Sequence, residues 1–268
     1  MNWTVLGASG TIGRKLTANL MAAGQAVYTP GRNEDLHRRP LGHVIYAIGL
    51  TADFRQRPYD TVHSHVSVLA ELLQNGNFKS LLYLSSTRVY GRANCGREDS
   101  LLPTLSQDPS DLYNLSKLMG ESLCLQDSRA GVRVARLSNV VGGDDAESVN
   151  FVPNLLREAL SGRILLQTAA DSIKDYIHID DVAELLPRIA AGGHERLYNV
   201  ASGVQITHEQ WTTLLSAHTG CLVEVAPFAP TVRFVPIDIG RIRTEFDFQP
   251  RPVLDIVTST FKRPKENL

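Results

Sequence analysis

Trp3-Thr4-Val5-Leu6-Gly7-Ala8-Ser9-Gly10-Thr11-Ile12-Gly13 opens the chain, and its reading decides the fold. Trp3–Leu6 reads as a strand and Ile12–Ala23 as a helix that Gly24 stops. Between them the glycines are spaced G-x-x-G-x-x-G. They permit a tight turn and bring backbone N–H groups close to a pyrophosphate, which the helix N-terminus then favours through its dipole. Glycines also cluster in ordinary turns, so the motif draws its weight from lying between the first strand and first helix of an alternating chain. Gly7, Ser9, Gly10, Thr11, Ile12, Gly13 and Arg14 are the expected contacts of a dinucleotide.

The alternation continues outward from this loop. Ala26–Thr29, Val44–Ile48, Leu81–Ser85 and Val132–Leu137 read as strands. Tyr59–Leu73, with Val62, Val66, Leu69 and Leu73 at helical spacing, and Leu112–Leu125 read as helices. This is the pattern of α/β architecture: a Rossmann-type doubly wound parallel sheet, here with a small α+β C-terminal substrate-binding lobe. The second half has shorter elements: a helix at Val152–Leu160, a strand at Asp175–Ile179, a helix at Asp181–Ala190 and a strand at Leu197–Val200. No clean linker divides the chain. Residues 1–140 plus about 176–201 are expected to form the dinucleotide-binding domain, and about 141–175 plus 202–268 the substrate lobe, interleaved with it.

Composition narrows the function class. A chain of 268 residues with 43% hydrophobic and 21% charged residues is an ordinary globular protein, and its net charge of −1 supplies no field for nucleic acid or an anionic membrane. Cys95, Cys124 and Cys221 form neither a disulfide framework nor a metal-ligand spacing, so no metal is expected and a reducing compartment is. Met1 runs straight into Asn2-Trp3-Thr4-Val5-Leu6 without a charged leader and apolar core, and no apolar run is long enough to span a bilayer. The cytoplasm is the default expectation.

Two further segments carry chemistry. The second strand ends Val27-Tyr28-Thr29-Pro30-Gly31-Arg32. An NAD enzyme usually places a carboxylate there for the ribose 2′-OH, and that position falls on Gly31, with Arg32 next. Most arginines are simply solvated. The missing carboxylate together with Arg32, and Arg14 beside the loop, nevertheless favours NADP(H) over NAD(H). Farther on, Tyr113-Asn114-Leu115-Ser116-Lys117 sets a phenol and an ammonium four residues apart on one helix face. A cation near a phenol favours the phenolate and lowers the tyrosine pKa toward that of a working general acid/base, and the same lysine can bind the nicotinamide ribose.

Leu84-Ser85-Ser86-Thr87-Arg88-Val89-Tyr90-Gly91 follows a strand, and it resembles the S-S-x-x-V-Y-G signature of the extended short-chain dehydrogenase/reductases, the NAD-dependent epimerase/dehydratase family. The resemblance covers nearly the whole chain. Glu98-Asp99 and Pro109 match its acidic and proline positions, and Ala135–Gly142 is similar to its R-x-x-N-x-x-G segment. Asn150-Phe151-Val152-Pro153 resembles N-L-x-P, Lys174–Asp181 resembles R-D-Y-I-H-V-x-D, and Asp247-Phe248-Gln249-Pro250 resembles G-F-x-P. The resemblance implies that Ser86 hydrogen-bonds the substrate oxygen while Tyr113 exchanges a proton with it. It also implies that Ser86, Thr87, Asn139, Asn150 and Lys174 contact a small-molecule substrate, a nucleotide-sugar, with both asparagines at its pyrophosphate.

The departures from the family pattern also inform. Lys174 stands for an arginine and loses the bidentate fork. His65 occupies a helix position often held by Asn, which supports the site's architecture. His63 and His65, two apart, do not share a helix face, which argues against a metal pair. Asn33–Gly42 is too short for the family's extra helix and strand, so adenine must be held differently. Thr87 and Arg88 stand where the dehydratases carry Asp-Glu, which disfavours dehydration. That leaves a 4-epimerase retaining NAD and a net ketoreductase using NADPH, with the missing acid tilting the reading to the reductase. A reductase of a non-sugar ketone or aldehyde is also compatible with these motifs, as is a non-catalytic NADPH-binding regulator. The family often forms homodimers through the helices corresponding to Tyr59–Leu73 and Leu112–Leu125.

Overall fold

The structure, a computed structural model, describes residues 2–32, 34–36, 39–50, 53–143 and 150–257. Asn33, where the short segment begins, lies outside the described residues. Strand β1 (Asn2–Leu6) leads through the glycine loop into helix α1 (Thr11–Ala22), followed by β2 (Ala26–Tyr28) and β3 (His43–Tyr46). Helix α2 (Pro58–Val62) continues through one π-helical turn, His63–Ser67, into α3 (Val68–Asn75). Strand β4 (Ser80–Ser86) ends in a 3-10 turn, Thr87–Tyr90, before α4 (Asp111–Gln126), β5 (Val132–Leu137) and β6 (Asn139–Val141). Then come α5 (Phe151–Leu160), β7 (Arg163–Leu166), β8 (Ile173–His178), α6 (Ile179–Gly192) and β9 (Leu197–Val200). The chain closes with β10 (Gln205–Thr207), α7 (His208–Thr219), β11 (Leu222–Val225) and α8 (Gly240–Phe246).

Six strands form the main sheet in the order β2-β1-β3-β4-β5-β9, and every pairing in it is parallel. The chain leaves β1 toward β2 and then crosses back to β3. The glycine loop therefore sits at the switch point, where α/β sheets open a crevice beyond their strand ends. Alternate residues of the central strands serve opposite faces. Ile45, Leu82 and Leu84 join Leu16 and Leu20 of α1 and Val182, Leu186 and Ile189 of α6 in one core. Val44, Tyr46, Leu81 and Tyr83 join Leu69, Leu72 and Cys124 in another. No helix or strand occurs among the described residues between Tyr28 and His43, so β2 is the sheet edge.

The later strands leave this sheet. β8 pairs with β6 and β10, and β7 pairs with β11. Val152, Leu155, Ile164, Leu166, Trp211 and Leu215 form their separate core. Helix α6 and strand β9 then return to the main sheet, so the chain visits the two layers alternately. No described helix is long and apolar enough to cross a membrane.

Candidate active site

The glycine loop is built by close approach. Gly7 has φ +82°, and a Cβ there would lie 2.7 Å from the Ala47 carbonyl oxygen; at Gly13 a Cβ would lie 2.2 Å from the Gly7 oxygen. Only glycine lets α1 start this close to the β1 end. Gly10 is the N-cap of α1, with no side-chain capping bond and no acid in the first helical turn. A Cβ at Gly10 would meet nothing nearer than the Gly7 oxygen at 3.5 Å. The helix N-terminus is thus open to an anion, as a dinucleotide pyrophosphate requires. Ser9 and Gly10 are exposed, Thr11 and Ile12 half-buried, and the Arg14 guanidinium donates to the Ser9 carbonyl at 2.6 Å. Arg32 is exposed at the end of β2. Glu34, which sequence spacing does not single out, lies beside it and accepts hydrogen bonds from the Tyr28 hydroxyl at 2.8 Å and the Gly31 N–H at 3.0 Å. A fixed spacing from Gly24 has no means of finding a carboxylate that the loop carries back.

Ser86, Tyr113 and Lys117 come together at the carboxyl end of β4. Tyr113 and Lys117 lie one turn apart on α4, and both are buried. Burial pushes the Tyr113 pKa up, while a hydrogen bond with Ser86 and the charge of Arg88 pull it down. The four-residue spacing assigns that lowering to Lys117, and the structure corrects it. The Lys117 ammonium donates to the Leu84 carbonyl at 2.9 Å, 5.9 Å from the centre of the Tyr113 ring. Burial drives Lys117 itself down to about 7, with Glu121 opposing.

His65 fills the space beneath. It is fully buried on the π-helical turn, and its Nδ1 lies 2.8 Å from the Ser116 hydroxyl. Its Nε2 accepts the Leu50 N–H at 3.3 Å, and its ring meets Tyr113 edge-on at 5.3 Å. Burial, then the Lys117 charge, lowers its pKa to about 2, so it is neutral at any working pH. π-helical turns often mark functional sites, and this one turns His65 inward while His63 stays exposed. The histidine at the usual asparagine position therefore preserves a hydrogen-bonded connection between the loop after β3 and α4.

A buried ion pair anchors the 3-10 turn. Arg136 of β5 donates to the Glu121 carboxylate of α4 at 2.7 Å and to the Tyr90 hydroxyl at 2.7 Å, and Tyr90 donates to Asn199 of β9 at 2.8 Å. Thr87 is buried on this turn, and the Ser86 hydroxyl accepts the Arg88 N–H at 3.2 Å. The other residues expected at the substrate lie on the smaller layer. Asn139 is exposed at the start of β6 and donates to the Asp175 carbonyl at 2.8 Å. Asn150 is the exposed N-cap of α5. Lys174 of β8 lies 5.7 Å from the Phe151 ring, and its pKa is lowered by burial and then by Arg88.

The glycine loop at the switch point and the Ser86–Tyr113–Lys117 cluster agree with a comparison of whole sequences, in which the NAD dependent epimerase/dehydratase family matches residues 3–201. The chain belongs to that family. The GDP-6-deoxy-D-mannose reductase of Pseudomonas aeruginosa is 30% identical over 150 residues, which are 52% of this chain and 48% of that protein. The matched stretch thus spans about half the length of that relative. Among solved structures, MoeE5 in complex with UDP-glucose and NAD superposes with a TM-score of 0.80 at 20% identity, covering 98% of each chain. TunA, an NAD dependent NDP-hexosamine 5,6-dehydratase of tunicamycin biosynthesis, gives 0.81 at 20% identity over 98% of this chain and 99% of that one. RMD from Pseudomonas aeruginosa, complexed with NADPH, gives 0.78 at 24% identity over 97% and 99%. At these identities the superpositions establish the shared Rossmann-type fold. The chain is an enzyme of the epimerase/dehydratase family.

Proposed function

We propose that the protein is an NADP(H)-dependent ketoreductase acting on a nucleotide-linked keto-sugar. The observation that carries this reading is the setting of Ser86 and Tyr113. They meet at one sheet edge, followed by Thr87 and Arg88 where a dehydratase needs an acid and a base. The nearby carboxylates Asp108 and Asp111 are both ion-paired with Arg92. Such a site suits carbonyl–alcohol interconversion without loss of water.

Gly7, Ser9, Gly10, Thr11, Ile12, Gly13 and Arg14 would hold the dinucleotide's pyrophosphate, Lys117 its nicotinamide ribose, and Arg32 a 2′-phosphate. A nicotinamide held there would supply the hydride. Ser86 donates a hydrogen bond to the substrate oxygen, and Tyr113 delivers its phenolic proton to that oxygen. The tyrosinate this leaves is stabilised by the Ser86 hydroxyl and the Arg88 charge, and it regains a proton from solvent before the next turnover. Thr87, Asn139, Asn150 and Lys174, together with the two smaller sheets, would form the substrate side. We also propose a homodimer. Helices α2 and α4 pack side by side and leave Tyr59, Val62, Leu115 and Met119 exposed.

Glu34 favours a second reading, an epimerase that retains NAD, because it puts a carboxylate at the end of β2. The deciding experiment is to denature purified protein, identify any released nucleotide, and titrate NAD(H) and NADP(H) separately. Protein that binds NADPH far more tightly than NADH supports the reductase; co-purifying NAD⁺ overturns it.

A further inference from the structure

We propose that Arg88 selects the substrate, by binding a carboxylate carried on the sugar next to the reacting carbon. The preferred substrate is then a nucleotide-linked sugar acid. This rests on the nucleotide-sugar reading above and narrows it.

Arg88 is placed as closely as the catalytic residues are. It sits two residues after Ser86 on the turn that the Arg136–Tyr90–Asn199 hydrogen bonds fix. Its guanidinium lies 5.6 Å from the centre of the Tyr113 ring and 5.1 Å from that of Phe54. Phe54 is itself buried against Tyr113, with ring centres 5.4 Å apart. The guanidinium therefore packs against both rings at the reacting end of the site.

It is also uncompensated. Its Nε is buried with no hydrogen-bond partner, and among the described residues no ion pair is made to it. The two carboxylates whose charge reaches it are engaged elsewhere. Asp111 accepts from Arg92 Nε at 3.0 Å, from the Leu105 N–H at 2.8 Å and from Asn114 at 2.8 Å. Asp108 accepts from Arg92 and from the Ser110 N–H at 2.8 Å. The other side-chain charges that reach Arg88 are the cations Arg55 and Lys174. A desolvated guanidinium near other cations, with part of its donor fork unused, is costly until an anion pairs with it.

Two anions on a nucleotide-sugar could do so, its diphosphate and a carboxylate on the sugar. The place of Arg88 favours the carboxylate. It flanks the groups that handle the reacting oxygen, and the diphosphate of a hexose leaves from the opposite side of the ring. Arginine is also the side chain that reads a carboxylate bidentately.

The test compares UDP-glucuronic acid with UDP-glucose and UDP, each titrated by calorimetry into NADPH-loaded protein. Wild type, Arg88→Met and Arg88→Lys are used, with circular dichroism confirming the fold of each. The wild type is expected to bind the uronate about tenfold or more tightly than the neutral sugar. Arg88→Met should erase that ratio while leaving UDP-glucose and UDP as they were, and Arg88→Lys should keep part of it. Equal affinities in the wild type overturn the proposal. So does an equal loss for all three ligands in Arg88→Met, which assigns Arg88 to the diphosphate. If NADPH binds but no UDP ligand does, the choice of uridine is at fault and not Arg88. Glucuronic acid 1-phosphate against glucose 1-phosphate then judges Arg88 alone, and the absence of a preference for the acid overturns it.

Discussion

At the scale of single residues, proton positions are governed by burial. Tyr113 is held above its ordinary pKa by desolvation, so the protonated phenol is its resting form and the proton is available for a substrate oxygen. Tyr113→Phe is expected to lower turnover ~10²–10⁴-fold, while NADPH affinity, measured by fluorescence titration, stays the same. A variant that still turns over at the wild-type rate would remove Tyr113 from the mechanism. His65 gives a prediction about stability. Its folded pKa is depressed from 6.5 to about 2, so in that window the unfolded chain binds a proton that the folded chain refuses. Stability contributed by the neutral His65 is complete above 6.5 and is lost as pH falls below it. His208, lowered to about 4, acts with the same sign. The thermal midpoint should fall on acidification through this range, and His65→Gln should flatten the fall, leaving the His208 part. An unchanged pH dependence in the variant would contradict the assignment.

Elements explain why these residues meet. The β1–loop–α1 unit depends on the lack of a side chain at Gly13, where a Cβ would collide with the Gly7 carbonyl and, at 2.8 Å, with Ala8 Cα. Both obstacles are backbone and cannot swing away. Gly13→Ala should therefore cost ~1–3 kcal/mol in chemical denaturation and abolish dinucleotide binding, because the helix N-terminus is pushed off its station. Retained NADPH affinity in a folded Gly13→Ala protein would show that the loop does not hold the pyrophosphate. This unit was legible in the sequence because all of its parts lie within a dozen consecutive residues. The Phe54 contact with Tyr113 was not, since nothing in a loop after β3 says which side chain will fold back across the sheet edge. The same holds for the π-helical turn, on which His65 reaches Ser116 and which apolar spacing does not announce.

For the whole molecule, Leu115 and Met119 on α4 and Tyr59 and Val62 on α2 leave apolar area on the outer side of one helical layer. The homodimer proposed above would cover it. Met119→Glu together with Leu115→Glu should convert a dimer into a monomer in light scattering, at little cost to folding because both side chains are at least one-third exposed. A wild type that is monomeric at high concentration removes the dimer. The two layers of the chain are tied as well, since Arg251 beyond α8 pairs with Asp181 and Glu184 of α6.

The sequence by itself determined the class of fold, the glycine loop, and the placing of Tyr113 and Lys117 one turn apart on a helix. Each of these is local, written in a turn motif, a period of helix or strand, or a four-residue spacing. The tertiary structure decided what depends on approach between distant segments. It set Arg88 and not Lys117 as the cation acting on Tyr113, because Lys117 is held by the Leu84 carbonyl. It returned the Glu34 carboxylate to the β2 end and joined Arg136 to Tyr90 and Glu121 beneath the catalytic turn. Charge and desolvation act through space, over distances that chain order does not record.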